Sequence, residues 1–412
     1  MFLQQNLNFG ICDGMIPPVS LKGDGFKMCN EELTFRNTRT YAQVDLSAIC
    51  HNGMIAKKLF SNQLILSVLK ADAYGHGIPG VIPAYETFSD WYAVATIEEA
   101  LQIRCQSKKP ILLFGPVPED QMVVAAQNDL TFTVGSYDYA SRLSARMKSA
   151  RMTAKCHLKI DTGLNRSGIR WRDSKKSLPV IRSVLKSECL SFTGTYTHLA
   201  CGEGQESWEI ANTAQQMKRF MEVCTAMEVE GMPVGIRHCC STGGALVNPE
   251  YRLDMVRLGM LPMGMSYSDE SVVVLDLRPA LTWKSFIAQI EIVNKGEPIS
   301  YGCTYYAPRD MKIGIVTCGY ADGYRRVYSN KSHVLVNGCK IPVVGRVAMD
   351  YTMVDLTDVD GVKVGDTVIL LGSDGHNSVT AMELSAYGES VSGEVTCVIS
   401  KRVPRIYTNA KE

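Results

Sequence analysis

The sequence predicts an α/β fold, a (β/α)8 TIM-like barrel followed by a smaller, mostly β C-terminal domain. Three observations lead there. From about residue 40, short apolar runs alternate with helix-like stretches, and about eight such units in this length favour a closed parallel barrel. No Gly-x-Gly-x-x-Gly opens the first helix, which counts against an open doubly wound sheet. After about residue 280, strand-like runs crowd together with hairpin chemistry between them.

Taken in order, the strand candidates are Tyr41–Leu46, Leu64–Leu69, Trp91–Ala95, Ile111–Phe114, Thr131–Val134, Cys156–Ile160, Phe192–Thr197, Ile236–Cys240 and Met255–Leu258. Helical stretches lie between them. In Thr96–Arg104, Thr96 and Glu99 form a capping box ahead of apolar residues at three- to four-residue spacing. In Glu209–Val229, Phe220, Cys224 and Met227 line one face. In the second half, His333–Val336 and Lys340–Val344 flank Asn337-Gly338, a two-residue turn signal, and Val368–Leu371 and Val395–Ile399 continue the strand-like pattern. The expected division is 1–38 as a poorly ordered N-terminal extension, 39–280 as the barrel and 281–412 as the β domain.

Composition bounds the function. The 412 residues are 46% apolar and 21% charged, with a formal net charge of +1, enough for two cored domains and without the charge bias of a nucleic-acid or membrane-surface binder. The fourteen cysteines show no C-x-x-C pair and no zinc-like Cys/His spacing, so no metal site is expected. The vicinal pair Cys239-Cys240 suits an ordinary disulfide poorly, and buried free thiols fit a reducing cytosol. No apolar run approaches a membrane span, and residues 1–38 lack the basic start and apolar centre of a signal peptide.

Chemistry concentrates at strand ends. Leu64–Leu69 reads as a buried strand, and Lys70 follows it directly, ahead of Gly75-His76-Gly77. A strand-end amine that is partly desolvated has a lowered pKa and can condense with a carbonyl; taken alone, such a lysine is far more often an ordinary snorkelling residue. Lys159, Arg166, His198, Ser241, Thr242 and Arg257 also fall at or just after predicted strand ends, where a parallel barrel carries its active site. Together they make a cationic cup for phosphate or carboxylate. Ser241-Thr242-Gly243-Gly244 offers hydroxyls and backbone N–H groups to phosphate oxygens, and Gly259-Met260 adds a second glycine turn. A barrel lysine such as Lys159 needs a neutralising partner, and Asp161 is the adjacent candidate.

Val68–Gly77 resembles the pyridoxal-phosphate attachment motif of bacterial alanine racemases. The similarity continues through Lys159–Gly168, Tyr196-Thr197-His198, Asp254–Arg257, Tyr301–Tyr305, Gly319–Tyr324, Gly345–Asp350 and Arg402–Arg405. These blocks span the chain from about residue 38 to 408 and leave the 37-residue leader outside. The resemblance implies a cytoplasmic, pyridoxal 5′-phosphate-dependent isomerase that interconverts L- and D-alanine for peptidoglycan. It also implies a head-to-tail homodimer with shared active sites.

Residue by residue, the resemblance makes Lys70 the cofactor lysine and the base on one face of the substrate. Tyr301 of the partner subunit would serve the other face, supported by His198 and Arg257. Arg257 would also face the pyridine nitrogen. Arg166 would hold the substrate carboxylate, with Met349 of the partner subunit lending a backbone N–H, and Lys159 matches a lysine often carbamylated in the family. The phosphate would rest on Tyr74, Ser241, Thr242 and the backbone of Gly259 and Met260. Four departures stand out: Ser241-Thr242 for a frequent Asn-Ser, Lys401 where several members place a phosphate-contacting tyrosine, Ala348 for a usual cysteine and Tyr351 for a usual glutamine. A serine or broad-specificity racemase on the same scaffold is the alternative. A single-barrel, non-catalytic cofactor carrier lacks both the β domain and a counterpart of Tyr301.

Overall fold

The computed structural model describes residues 39–265 and 275–409. The N-terminal extension expected over 1–38 lies outside the described residues. The remainder is one compact unit built on two sheets.

The chain enters through β1 (Thr40–Asp45). Eight parallel strands then form the barrel: β2 (Leu64–Val68), β3 (Trp91–Val94), β4 (Ile111–Leu113), β5 (Leu130–Val134), β6 (Ala154–Asp161), β8 (Leu190–Tyr196), β9 (Ile236–His238) and β10 (Met255–Leu258). A two-residue strand, β7 (Ile169–Arg170), is an extra rung on β6. The expected runs from Leu64 to Leu258 are all present. The sheet runs β10-β2-β3-β4-β5-β6-β8-β9. Its seam is drawn together where Asp254 N and Arg257 N donate to the carbonyls of Arg237 and Cys240, at 3.1 and 3.2 Å. Across the same seam the Arg237 guanidinium grips the Asp254 carboxylate at 3.0 and 3.1 Å.

Strand parity divides the barrel's core in two. Ile65, Tyr92, Ile111, Phe132, Leu158 and Val256 join the large cluster beneath the surrounding helices. Their neighbours Leu66, Val68, Ala93, Leu112 and Met255 form a separate cluster, as expected for the opposite face of each strand. The helix Ile97–Arg104 carries the expected Thr96/Glu99 capping box, and Ser207–Val229 buries Phe220, Cys224 and Met227.

The second sheet is centred on β11 (Leu281–Val293), a thirteen-residue strand paired with β1, β12 (Met311–Val316) and β16 (Thr367–Asp374). Thr40–Val44 pairs with Leu281–Ser285, so the first strand of the described chain completes the C-terminal sheet rather than the barrel. The hairpin β13 (His333–Val336) and β14 (Cys339–Pro342) turns on Asn337 and Gly338, both at positive φ (50° and 75°), as a tight hairpin turn requires. Next come β15 (Thr352–Asp355), β17 (Asn377–Val379) and β18 (Arg405–Thr408), the last parallel to β1. One expectation is corrected. Val395–Ile399, read as strand-like, lies in and just after the helix Ser392–Cys397. Val395, Thr396 and Ile399 are buried, so the apolar run fills one helical face instead of alternating.

Candidate active site

Lys70 leaves β2 into a turn that the sequence did not foretell. The helical turn Lys70–Tyr74 is left-handed: Ala71, Asp72, Ala73 and Tyr74 have φ of 55°, 52°, 55° and 51°. For L-residues this costs roughly 1–2 kcal/mol each, so the surroundings must enforce it. They do so from two sides. Glu99, the capping-box residue, accepts from Asp72 N at 3.3 Å, while Asp72 Oδ1 accepts from Ile78 N at 2.8 Å and caps the next helix. From the second domain, Arg405 Nε donates to the Gly75 carbonyl at 2.9 Å and the Tyr407 hydroxyl to that of His76 at 3.1 Å. A Cβ on Gly75 would meet the Thr396 carbonyl at 2.1 Å, and one on Gly80 would enter the Tyr407 ring at 2.0 Å. The glycines near Lys70 are thus places where the second domain presses on the loop.

The turn carries a nucleophile at one end and a hydroxyl at the other. Burial, then Arg166, lowers the Lys70 pKa. The Tyr74 hydroxyl lies against Gly259, where an added Cβ would be only 2.5 Å away. Thr242, buried at the head of a short helix, accepts from Gly259 N at 3.2 Å, and Ser241 precedes it as the N-cap. Met260 stands beside Tyr74 next to Gly393. Tyr74, Ser241, Thr242, Gly259 and Met260 therefore gather in one neighbourhood, with the polar equipment to cradle a phosphate.

Arg257 is the hub of the opposite wall. Buried at 4% exposure, it donates to His198 Nδ1 at 2.8 Å, His238 Nδ1 at 3.1 Å and the Cys239 carbonyl at 2.6 Å. Because both imidazoles accept through Nδ1, each carries its proton on Nε2. Burial, then Arg257, pushes the His198 pKa down to about 2, so the ring is neutral. His238 Nε2 meets His157 Nδ1 at 3.0 Å, extending the relay from Arg257 into the barrel. Tyr196 stacks on His238 at 4.6 Å and receives Lys159 Nζ 5.4 Å from its ring centre. Its hydroxyl meets Thr133 at 2.9 Å. The thiols of Cys239 and Cys240, 3.5 Å apart and fully buried, both point at the Tyr251 carbonyl.

Lys159 donates to Ser167 Oγ at 2.7 Å, and burial, then Arg166 and Arg257, lowers its pKa to about 8. Asp161 makes no hydrogen bond or ion pair with it, though its charge works against that lowering; its Oδ1 accepts from the amides of Gly163 and Asn165, both at 3.0 Å. Arg166 is exposed and makes no hydrogen bond or ion pair among the described residues. Lys70, Lys159, Arg166 and Arg257 all depress the His198 pKa, so these cations share one field.

Tyr301 and Met349 stand apart. Both are exposed on second-domain loops, at 70% and 53%, and no hydrogen bond or ion pair joins either to Lys70, His198 or Arg257. Ala348 and Tyr351 share the Met349 loop, where Ala348 N donates to the Tyr351 carbonyl. Lys401 is exposed on the turn after the helix Ser392–Cys397, next to Arg402, which pairs with Asp322 and Asp350. Gly393 faces Tyr74 and Met260 from that helix, and Cys397 on the same helix bears electrostatically on Lys70. Sequence reasoning missed Gly393, Cys397, His157, His238 and Tyr196. His157, two residues before Lys159 on β6, shares its strand face, a relation that points to the site only once that face is known.

Comparison with known proteins bears on the whole chain. Residues 44–266 match the family model for the alanine racemase N-terminal domain and 280–407 that for its C-terminal domain. An alanine racemase of Desulforamulus reducens is 38% identical over 371 residues, covering 89% of this chain and 98% of the relative. That of Desulfovibrio desulfuricans is 35% identical over 370 residues, covering 89% and 97%. Among solved structures, the Bacillus anthracis alanine racemase with bound L-Ala-P superposes with a TM-score of 0.83 at 33% identity, covering 90% of this chain and 95% of that one. The Clostridium difficile alanine racemase in complex with cycloserine gives 0.80 at 33%, covering 90% and 96%. With both of its domains matched in order, the chain belongs to the alanine racemase family, a family of amino-acid isomerases.

Proposed function

We propose that the protein interconverts L- and D-alanine with pyridoxal 5′-phosphate held on Lys70, between two bases that belong to different subunits. One observation carries the reading: a single strained turn sets an amine of lowered pKa at Lys70 and the Tyr74 hydroxyl against Gly259 and Thr242. The residues fit the cofactor. Gly259 leaves room that a Cβ would fill, Tyr74 and Thr242 supply hydroxyls with Ser241 and Met260 alongside, and the cationic wall suits a phosphate.

Bound there, pyridoxal phosphate supplies the electron sink that lets the substrate Cα–H ionise. Lys70 holds or moves the proton on one face of that carbon. Tyr301 of the partner subunit does so on the other, since inversion needs an acid and a base on opposite sides. A phenol titrates near pH 10, so its anion needs cations and hydrogen-bond donors nearby. His198, with Nδ1 committed to Arg257, can donate from Nε2 to a phenolate oxygen. Arg257 is effectively never deprotonated and accepts no proton from a ring nitrogen, which keeps the carbanion short of full stabilisation and favours reprotonation over side reactions. Arg166, without an anionic partner among the described residues, binds the substrate carboxylate, joined by the backbone N–H of Met349 of the partner subunit. Lys159, with a pKa of about 8, is neutral often enough to take up carbon dioxide, and its carbamate would be Arg166's missing counter-charge.

The homodimer rests on exposed side chains. Tyr301, Tyr306, Tyr320, Met349 and Tyr351 are all exposed on second-domain loops, and Tyr320 N and Ala321 N bond to the Ala348 and Met349 carbonyls, so two of these loops adjoin. All described cysteines are free, which fits a reducing cytoplasm, and no helix among the described residues is long and apolar enough to cross a membrane. D-alanine made there would feed peptidoglycan.

The test is proton exchange. Incubated in deuterated water with single L-amino acids, the protein should wash out the α-proton of alanine and generate the D-isomer. No exchange with any amino acid overturns the proposal. Equal rates with serine favour the broad-specificity alternative. Borohydride should fix the cofactor on the peptide bearing Lys70, and recovery on another lysine rejects that assignment.

A further inference from the structure

Two loops of the second domain, around Tyr320 and around Met349, are held by one ring of charges. Asp322 is fully buried, and its carboxylate pairs with Arg39 and, at 3.0 Å, with Arg402. The same two arginines reach Asp350, at 3.5 and 2.6 Å, and Arg39 Nη1 also donates to the Asp350 carbonyl at 3.3 Å. Cations and anions thus alternate, and their charges cancel. Arg39 stands just ahead of β1 and Arg402 shortly before β18, so the ring ties both loops to the ends of the second sheet. A buried carboxylate is tolerable only with such partners, and removing its charge leaves both arginines short of one.

The ring bears on one backbone amide. Asp322 Oδ2 accepts from Gly319 N at 2.9 Å and so curls its own loop. That curl sends Tyr320 N to the Ala348 carbonyl and Ala321 N to the Met349 carbonyl, both at 3.0 Å. A Cβ on Gly319 would meet those two carbonyl oxygens at 2.4 and 2.5 Å, so the loops touch backbone to backbone. A trans peptide is planar, with its N–H opposite its C=O. The Ala348 carbonyl faces the Asp322 loop, and the Met349 N–H of the same peptide must therefore point away from it. Asp350, the next residue, is gripped by the ring, so the chain is fixed on both sides of Met349. No hydrogen bond among the described residues uses the Met349 N–H.

We propose that Asp322 is a positioning residue for the reaction: through the ring it aims the Met349 N–H at the substrate carboxylate in the partner subunit's site. This role rests on the shared-site reading given above. Asp322 itself touches no substrate. It keeps one peptide from turning, and the contact that peptide makes is common to substrate and transition state. Its loss should raise KM and spare kcat. Asp322→Asn keeps the shape of the side chain and an acceptor for Gly319 N but removes the charge that holds the arginines.

Cofactor-loaded mixed dimers test the assignment. A dimer of one Lys70→Ala and one Tyr301→Phe subunit keeps a single intact site, whose Met349 loop belongs to the Lys70→Ala chain. Asp322→Asn added to that chain should raise KM for alanine at least about tenfold and change kcat less than about threefold. Added to the Tyr301→Phe chain, the same substitution lies on the loop of the dead site, and the rise in KM should be at least about fivefold smaller. Both dimers hold the same substitutions, so any general loss of stability lowers both alike, and their thermal melts should coincide. Equal KM in the two placements, or a fall in kcat with KM unchanged, overturns the role of Asp322 alone. An inactive parent dimer, verified as mixed by mass, overturns the shared-site reading and this role with it. Should the Asp322→Asn chain fail to assemble, Asp350→Asn, at the partly exposed edge of the ring, gives the same comparison, and equal KM in its two placements overturns the proposal.

Discussion

Arg257 donates three side-chain hydrogen bonds and accepts none, and that direction fixes the two imidazoles it touches. A lysine in its place is a point charge that cannot reach His198, His238 and the Cys239 carbonyl together. Arg257→Lys should lower kcat about 100-fold and also lower the melting temperature, because His238 Nδ1 loses its donor. Steady-state rates and thermal melts on the same preparation check both effects. The buried histidines set a pH limit. Burial lowers His76 and His157 to about 4, His198 to about 2 and His238 well below its ordinary value. The unfolded chain takes up protons near pH 6.5 while the folded one does not, so stability is full above that pH and is lost as pH falls toward 4. The loss is at most about 1.4 kcal/mol per pH unit for each histidine. Urea melts at pH 7, 6, 5 and 4.5 measure it, and a flat profile would show that these rings protonate in place. Lys70, His198 and Arg257 were legible because they end strands. His238 and His157 were not, since a polar residue within a strand signals a site only when the face it occupies is known. Gly393 was not legible either, because sequence does not say which side of a helix faces the site.

At the scale of elements, the turn after β2 is held by contacts distant in sequence. Asp72 tolerates positive φ, but Ala71 and Ala73 on either side do not favour it, so no local reading finds the left-handed turn, and only the nearby glycines hinted at crowding. Gly80→Ala drives a methyl into Tyr407 and should cost about 1–3 kcal/mol by chemical denaturation. The double variant with Tyr407→Ala should lose less than the sum of the single losses, and strict additivity would place the strain elsewhere. Gly259→Ala presses on the Tyr74 hydroxyl instead. It should raise the cofactor dissociation constant at least about tenfold while leaving the cofactor-free melting temperature nearly unchanged. Spectral titration with pyridoxal phosphate, with a melt of the stripped protein, separates those outcomes. The barrel strands were readable because parallel strands buried on both faces are continuous apolar runs. Val395–Ile399 was misread for the same reason, since a short buried helix gives the same signal.

At the scale of the molecule, pattern gave β1 as a strand but not its sheet. Choosing between two sheets depends on pairing across most of the chain, with β11 and β18 as the partners. The proposed dimer makes a prediction of the same reach. If Lys70 and Tyr301 of the partner subunit share a site, Lys70→Ala and Tyr301→Phe should each be nearly inactive. Refolded together, they should recover about a quarter of wild-type activity, because half the dimers are mixed and each mixed dimer has one intact site. Failure to recover, with mixed dimers verified by mass, would mean that each subunit completes its own site.

The clamp on the Lys70 turn also sets an order of events during synthesis. The barrel strands leave the ribosome first, and their nearest pairings are between neighbours in sequence, so they can assemble as they emerge. Arg405 and Tyr407, which hold the carbonyls of Gly75 and His76, are made 330 and 331 residues after them, on the strand that also closes over β1. A nascent chain stalled before Arg405 would thus expose its lysine on a turn free to relax to the right-handed form. Under the proposed function, cofactor capture would be open only to chains translated through to β18.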